Sequence, residues 1–512
     1  MKTTALSLLV LASACSDQVD LQVDLTERAP PASSASQLAG DAALDELAWS
    51  VTDSGSRHFF PQYLDWTTDG GLVAAGMYSV GHPGPGEDVE GGAYLARYAA
   101  DGSPVWTTVI SSADAEALAR SAGYLADGDL TFRPLFDSMD TFEDGGVLVA
   151  LRLIIVGNLH VEGHEGEENY THVELNALQW YGADGSLVAT RAFSNTDPVE
   201  GIVFVRDVVT LPDGGALLSG ALPVPYAGEY QQTSGLITRF DAAGERLWTT
   251  EVVSAGIPPV IGIPRVGHIN LTPDGGIVFG GEFFGDARID GKHVFAEIGV
   301  YVARLAQDGT LTWMRTFDDT AGWLDGLVVG SDGNLLAAGS FATHVSAGGL
   351  ELEADERTPF LAELDPAGSV LRLNEIEPLP PLLAEVNQGE NMVMAAEGDG
   401  IAVGGSTNEF DLTDEMVAVQ VSFAPFVALY DRDGRIVDER RMAATPPNPE
   451  DWGVSEAVAI SSDGHLATGG GFAGTIDLGR GPIQSERTAL GNGFVAVYEP
   501  PAGHGVDVAA PR

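Results

Sequence analysis

Asp274-Gly275-Gly276-Ile277-Val278-Phe279-Gly280-Gly281, followed by Tyr301-Val302-Ala303-Arg304-Leu305, Asp308-Gly309 and Trp313-Met314-Arg315, is the stretch whose reading decides the fold. An Asp-Gly pair set between apolar runs that alternate at period two is the strongest short-range signal for a β-hairpin, because glycine adopts the positive φ that a tight turn needs. Two such turns lie in this one stretch. They predict four antiparallel strands, with tight turns between the first and second and between the third and fourth. A longer connection, 282–300, joins the second to the third.

The same unit recurs in both directions along the chain. Its first turn reads Asp69-Gly70-Gly71, Asp144-Gly145-Gly146, Asp213-Gly214-Gly215, Asp274-Gly275-Gly276, Asp332-Gly333-Asn334, Gly398-Asp399-Gly400 and Asp463-Gly464-His465. Its third strand reads Tyr94–Tyr98, Leu175–Tyr181, Leu236–Phe240, Tyr301–Leu305, Phe360–Leu364, Phe426–Tyr430 and Phe494–Tyr498. The first turns are 58 to 75 residues apart, a spacing too long for one hairpin and suited to a four-stranded sheet with one long loop. After the second turn a tryptophan strand follows in several units, at Trp106, Trp248 and Trp313. The seventh unit has no room for this strand, since only His504 to Arg512 remain, and a matching Leu47-Ala48-Trp49-Ser50-Val51 stands ahead of the first unit. Seven units with the outer strand of the last displaced to the N-terminus predict an all-β, seven-bladed β-propeller over 45–503, its last blade closed by an N-terminal strand.

These units resemble those of the bacterial seven-bladed propeller surface-repeat proteins, which run through G-x-F, a long glycine-containing hairpin, F-V-A-[KR]-[LY] and D-x-x-G. Gly471-Phe472 through Gly479, leading to Phe494–Tyr498, is the nearest match, and the motifs specify a blade but no activity. Unit two departs most: Leu151 stands where the others carry glycine, and Trp180 holds the phase of Arg97.

The N-terminus carries an address. Met1-Lys2 precedes the apolar run Ala5–Ala14, and Cys15, the chain's single cysteine, follows directly. A short basic start, an apolar run of this length and small residues form a secretory signal, too short to span a bilayer. The segment resembles a bacterial lipoprotein signal, with Ala12 in the place where that family usually has leucine. The resemblance implies lipidation at Cys15 and, because Ser16 follows, delivery to an outer membrane with periplasmic or surface display. The expected organisation is a signal peptide over 1–14, an acidic flexible tether over 15–44, the propeller over 45–503 and a short tail over 504–512. One cysteine excludes an intramolecular disulfide, so packing alone must hold the fold.

Acidic residues outnumber basic ones 74 to 25, for a formal net charge of −49. Such a surface repels phosphates and anionic lipid headgroups, which excludes nucleic acid as a partner and leaves a lipid anchor as the expected link to a membrane. The expected partner is an envelope protein or glycan, and the expected state is a monomer without cofactor.

No strong catalytic motif is present: the chain lacks G-x-S-x-G and the phosphate-binding G-x-x-x-x-G-K-[ST]. The adjacent Asp-Gly pairs are not sialidase Asp boxes, which separate the two residues. Asp431-Arg432-Asp433-Gly434 resembles the start of a calcium loop, but Arg435 at the next alternate position would repel the ion, so a turn is expected. His160, His164 and His172 form the one candidate metal set, with Glu162, Glu165, Glu167 and Glu168 nearby, in a spacing that matches no defined site. Arg97, Arg239 and Arg304 share one phase of the third strand, with Glu363 in that phase in unit five, and are expected to pair with acids of a neighbouring blade.

The tight turns repeat nearly the same chemistry seven times, whereas the second-to-third connections differ in length and content. Loops that vary on a rigid scaffold are where binding usually resides. The expected function is therefore a membrane-tethered, non-enzymatic propeller binding a protein or glycan on the long-loop face. The alternatives are a lyase, lactonase or glycosidase working near the central channel, and an envelope assembly factor. Inward His, Arg and carboxylate side chains at the channel mouth would favour chemistry there.

Overall fold

The computed structural model describes residues 47–500 apart from 53–56, 81–89, 123, 126–129, 157–159, 162–171, 194–203, 225–231, 256–264, 290, 319–321, 331, 356, 378–392, 398–399, 413–417, 443–450 and 486–490. Its strands form a seven-bladed β-propeller of four-stranded antiparallel blades. Blade 1 comprises Arg57–Trp66, Leu72–Val80, Glu90–Tyr98 and Pro104–Ile110, and blade 2 Thr131–Thr141, Val147–Val156, His172–Tyr181 and Leu187–Phe193. Blade 3 is Phe204–Thr210, Ala216–Val224, Gln232–Phe240 and Arg246–Ala255; blade 4 is His268–Leu271, Ile277–Ile289, Lys292–Leu305 and Leu311–Phe317. Blade 5 is Leu324–Val329, Leu335–Phe341, Thr358–Leu364 and Val370–Glu375, and blade 6 Val393–Glu397, Gly400–Leu412, Ala418–Tyr430 and Ile436–Arg441. Blade 7 takes Trp452–Ile460, Leu466–Ala473 and Asn492–Tyr498 from the end of the chain and Leu47–Thr52 from its start.

That N-terminal strand pairs antiparallel with Asn492–Tyr498, Ser50 opposite Ala496 and Thr52 opposite Phe494, as the displaced outer strand requires. The first strand of every blade packs on the first strands of both neighbours, blade 7 on blade 1 included, so these strands surround the axis and the ring is closed.

The core is divided among the seams. One apolar cluster joins Val73, Ala75 and Leu95 of blade 1 to Val149, Leu151 and Leu175 of blade 2, and comparable clusters fill the other joints round to blade 7 against blade 1. Because a blade is covered on both faces, its second and third strands are apolar nearly throughout rather than alternating, and Leu335–Phe341 is buried at every residue.

The outer edges of the seams after blades 1, 3 and 4 are also stapled. Arg97, Arg239 and Arg304 bond the first-turn aspartates of their own blades, to Asp69 at 2.6 Å, Asp213 at 2.7 Å and Asp274 at 2.5 Å. The neighbouring blade supplies not the expected acid but a backbone carbonyl: Arg97 donates to Ala183 O, Arg239 to Gln307 O and Arg304 to Pro366 O. Trp106, Trp248 and Trp313 donate their indole N–H to those same three carbonyls and lie against the turn glycines Gly185, Gly309 and Gly368, where a Cβ would strike the indole ring. Trp49 of the closing strand packs on Gly102 in the same way, but its indole N–H has no partner among the described residues. In blade 2 the pair is exchanged: Trp180 on the third strand faces Ala189 on the fourth and packs near Gly244 of blade 3.

Two features depart from the simple repeat. The connection 282–300 is no loop: Ile277–Ile289 and Lys292–Leu305 run on as a long ribbon whose Val252-to-Ala255 partners belong to blade 3, merging blades 3 and 4 into one sheet. Between blades 1 and 2 stands one α-helix, Ser112–Ser121, started by a reciprocal capping box between Ser111 and Asp114 and packed through Ala115 and Ala119 against Phe132 and Phe136.

Candidate functional site

The channel mouth is built by one backbone irregularity repeated around the ring. In blades 1, 2, 3, 5 and 7 the first strand carries a β-bulge against the second, and the extra residue is Gln62, Asp137, Arg206, Asp325 or Glu456. A bulge leaves one residue out of the ladder and re-aims its side chain, which is why bulges gather at barrel rims and working sites. Opposite the bulge in blades 1, 3, 5 and 7, and at the same place in blade 4, stands the second-strand glycine of the repeat, where blade 2 has Leu151: a Cβ on Gly76, Gly220, Gly281, Gly339 or Gly470 would run into the carbonyl oxygen of Phe60, Phe204, Arg265, Trp323 or Val454. These five residues mark one register two places before the bulge. They put Arg265 of blade 4 beside Phe204 and Trp323 of its neighbours, with Gly267 in the bulge position.

The side chains converge on the axis. The Tyr63 hydroxyl is held well above its usual range, by burial first and then by the charge of Asp137, with Asp207 and Glu456 adding. Three other blades thus act on one phenol, which only the axis allows. The Tyr63 hydroxyl donates to Asp137 O at 2.7 Å. Asp137 pairs with Arg152 at 3.0 Å, and Arg152 also lies 3.9 Å from Glu174. Burial raises the Asp137 carboxyl to about 6 against the opposing pull of Arg152 and Arg206. Burial and the nearby charge of Glu282 raise Asp325 to about 7. Glu282 is also raised by burial, although it accepts the Leu324 N–H at 3.0 Å. Glu456 is raised by burial against a hydrogen bond from Gln62. The first strands reach the mouth from the end remote from the tight turns, so this cluster lies on the long-connection face.

A second group of half-buried carboxylates has a different task. Thr141 donates its N–H and hydroxyl to Asp65 at 2.9 and 2.6 Å, and Thr210 does the same to Asp140 at 2.5 and 2.8 Å. The Ile269 N–H reaches Asp207 at 3.0 Å. Asn270 donates to Leu327 O at 3.2 Å, continuing the series to blade 5. Each of these side chains ties one inner strand to the next. Burial raises Asp65 and Asp207 to about 7, yet their oxygens are taken up by neighbouring backbone, which makes them structural. Among the described residues Asp137, Asp325 and Glu456 bind no neighbouring backbone through their carboxylates, and they line the candidate site.

The histidine set fares differently. His160 begins a two-residue strand paired with Tyr124–Leu125, and His172 begins the third strand of blade 2. His164 and Cys15 lie outside the described residues. Among the described residues no three histidine, cysteine or acidic side chains form a metal-binding group. Asp431 accepts the Asp433 and Arg435 N–H groups, both at 2.9 Å, so Asp431–Arg435 is a turn. Sequence reasoning missed Asp137, Arg206, Arg265 and Asp325. Their shared register becomes visible once the second-strand glycines are aligned, and nothing in the linear pattern marks it as facing the axis.

No protein-family model matches the chain. No curated protein matches it either. Among solved structures, the chain is similar to Kuenenia stuttgartiensis hydrazine synthase at 10% identity, over 80% of this chain and 92% of that one, with a TM-score of 0.42. It is similar to the polysaccharide lyase Uly1 at 12% identity, over 88% and 99%, with a TM-score of 0.40. Trypanosoma rangeli sialidase is likewise similar at 9% identity, over 88% and 58%, with a TM-score of 0.32. Likeness at this level carries nothing about activity, and the functional reading rests on the channel mouth alone.

Proposed function

We propose that this protein is an exported, lipid-anchored propeller that binds an envelope glycan or protein at the channel mouth of its long-connection face. The supporting observation is the repeated bulge. The repeat keeps its turn and seam residues nearly constant, whereas the bulge position holds glutamine, aspartate, arginine, aspartate and glutamate in five blades. Unlike side chains displayed at one register of a rigid ring can select a ligand, which identical ones cannot. This moves the site from the tips of the hairpins, where the sequence pattern points, to their base. The ribbon 282–300 supports the change, since its pairing with blade 3 gives it a structural role.

The anchor rests on Cys15 and the apolar run before it. Substituting Cys15→Ser is expected to move the protein from the membrane to the soluble fraction, and equal fractionation of mutant and parent would remove the tether. The site is tested by capture from solubilised envelope. Glu456→Gln with Tyr63→Phe should lose the captured partner, whereas shortening the hairpin between Thr475 and Gln484 should keep it.

An enzymatic reading is favoured by one observation: Asp325 at about 7 and Asp137 at about 6 stand near arginines, as a proton donor and an anion-stabilising group would. Product release from envelope glycans that stops in Asp325→Asn while binding persists would establish it.

A further inference from the structure

Arg206 and Arg265 stand apart from the other cations of this protein. In a chain with three times as many acids as bases, guanidinium groups find carboxylates readily, as Arg97, Arg152, Arg239, Arg304 and Arg432 all do. Arg206 and Arg265 are exposed at the channel mouth, and their guanidinium groups make neither an ion pair nor a hydrogen bond with any described residue. Both are nevertheless held in place. Arg206 lies over the Phe204 ring at 5.9 Å, and Arg265 lies over the Trp323 ring of the next blade at 5.3 Å. An aromatic face positions a guanidinium without occupying its N–H donors, so each fork is left free and pre-organised. The two are also near each other: Arg206 is held below its usual value by burial and next by the charge of Arg265.

The nearby acids Asp137 and Glu282 attract this pair through space but form their short contacts elsewhere. Asp137 is engaged by Arg152, and Glu282 by the Leu324 amide. Two adjacent free guanidinium groups in a concave site, each able to form a parallel pair of hydrogen bonds, fit a carboxylate better than any neutral group. Gln62, Asp325 and Glu456 hold the same bulge register in blades 1, 5 and 7 and add single polar side chains to the mouth. Such a set suits hydroxyl groups, whereas a peptide would need apolar pockets or an open strand edge.

Resting on the channel-mouth reading above, we infer that the ligand is an acidic glycan, and that Arg206 and Arg265 bind a sugar carboxylate while the surrounding polar ring takes its hydroxyls. The test is titration calorimetry of the full chain with galacturonate and glucuronate oligosaccharides and with their methyl esters, which remove the charge and keep the sugar. The acid form is expected to bind and the ester to bind at least tenfold more weakly. Arg206→Gln and Arg265→Gln, each shown to melt like the parent, should each weaken the acid form at least tenfold and leave the ester unchanged. An Arg206→Lys variant should recover part of the loss at most, because the ammonium keeps the charge and not the fork. Equal affinity for acid and ester, no binding of any uronate oligosaccharide, or binding of an acidic peptide in their place would overturn the inference. If acid and ester bind equally but Tyr63→Phe or Glu456→Gln weakens both, the channel mouth remains the site and only the carboxylate is lost. If no channel variant alters binding, both fall together.

Discussion

Asp325 and Asp69 show how one residue type takes opposite electrostatic roles in this fold. Asp69, in an exposed turn, accepts hydrogen bonds from Thr67, Gly71 and Arg97, and the Thr67 hydroxyl does most to hold its carboxyl below the usual range. Asp325 has burial and Glu282 against it and is raised to about 7. Above that pH it carries a poorly solvated charge, a cost typical of residues kept for function rather than stability. Asp325→Asn is therefore expected to raise the melting temperature at pH 8, by the equivalent of about 1 kcal/mol or more, and to change little at pH 3, where the parent side chain is neutral in the folded and the unfolded chain alike. Thermal melts at the two pH values check this, and an equal shift at both would mean that packing rather than charge is responsible. The residue was legible in the sequence only as one acid among 74. Its environment comes from Glu282 in another blade, and no local pattern encodes that proximity.

At the scale of the element, the seam between blades 5 and 6 reverses the device used elsewhere. Blades 1, 3 and 4 place arginine on the third strand, whereas blade 5 places Glu363 there, and the cation comes from the turn of blade 6: Arg432 lies 2.5 Å from Asp332 and 3.2 Å from Glu363. Exchanging the ends of a buried ion pair keeps the seam neutral, and changing one end alone leaves like charges facing each other. Glu363→Arg should cost on the order of 3 kcal/mol in denaturant unfolding, and adding Arg432→Ala should recover most of it, since the new arginine then bonds Asp332 as its counterparts do. Equal stability of the single and double variants would refute this account of the seam. The phase of Glu363 was readable from alternation along its strand. Its partner was not, because Arg432 is 69 residues away and meets it only across the seam. The helix Ser112–Ser121 was legible in principle from Ser111 and Asp114, but strand signals on either side hid it.

For the whole molecule, closure and charge are the quantities that matter. Trp49 belongs to a six-residue strand at the start of the chain and seals blade 7 against blade 1, so Trp49→Ala should cost about 3 kcal/mol and lower the melting temperature of the entire ring in one transition. A separate early transition for blade 7 alone would contradict cooperative closure. The pH dependence follows from Asp65 and Asp207, whose native values near 7 exceed the unfolded value of 3.8. Between those values the native state holds protons that the unfolded chain has released, so stability should fall as pH rises from about 4 to 7 and then level off. Self-repulsion from a net charge of −49 acts in the same direction, and added salt should reduce only that part. Stability that instead rises across this window would show the inner-strand carboxylates to be ionised throughout. The sequence by itself determined the number of blades, the strand order within each and the terminal strand that closes the ring. Turn glycines, the short apolar strands between them and the displaced tryptophan strand are local features that repeat, and repetition makes them readable. Only the tertiary structure decided that Gln62, Asp137, Arg206, Arg265, Asp325 and Glu456 share one opening and that Asp65, Asp140 and Asp207 are staples. A bulge re-aims a side chain according to its partner strand, and the axis gathers residues from separate blades, far apart in the chain, whose charges then set one another's state.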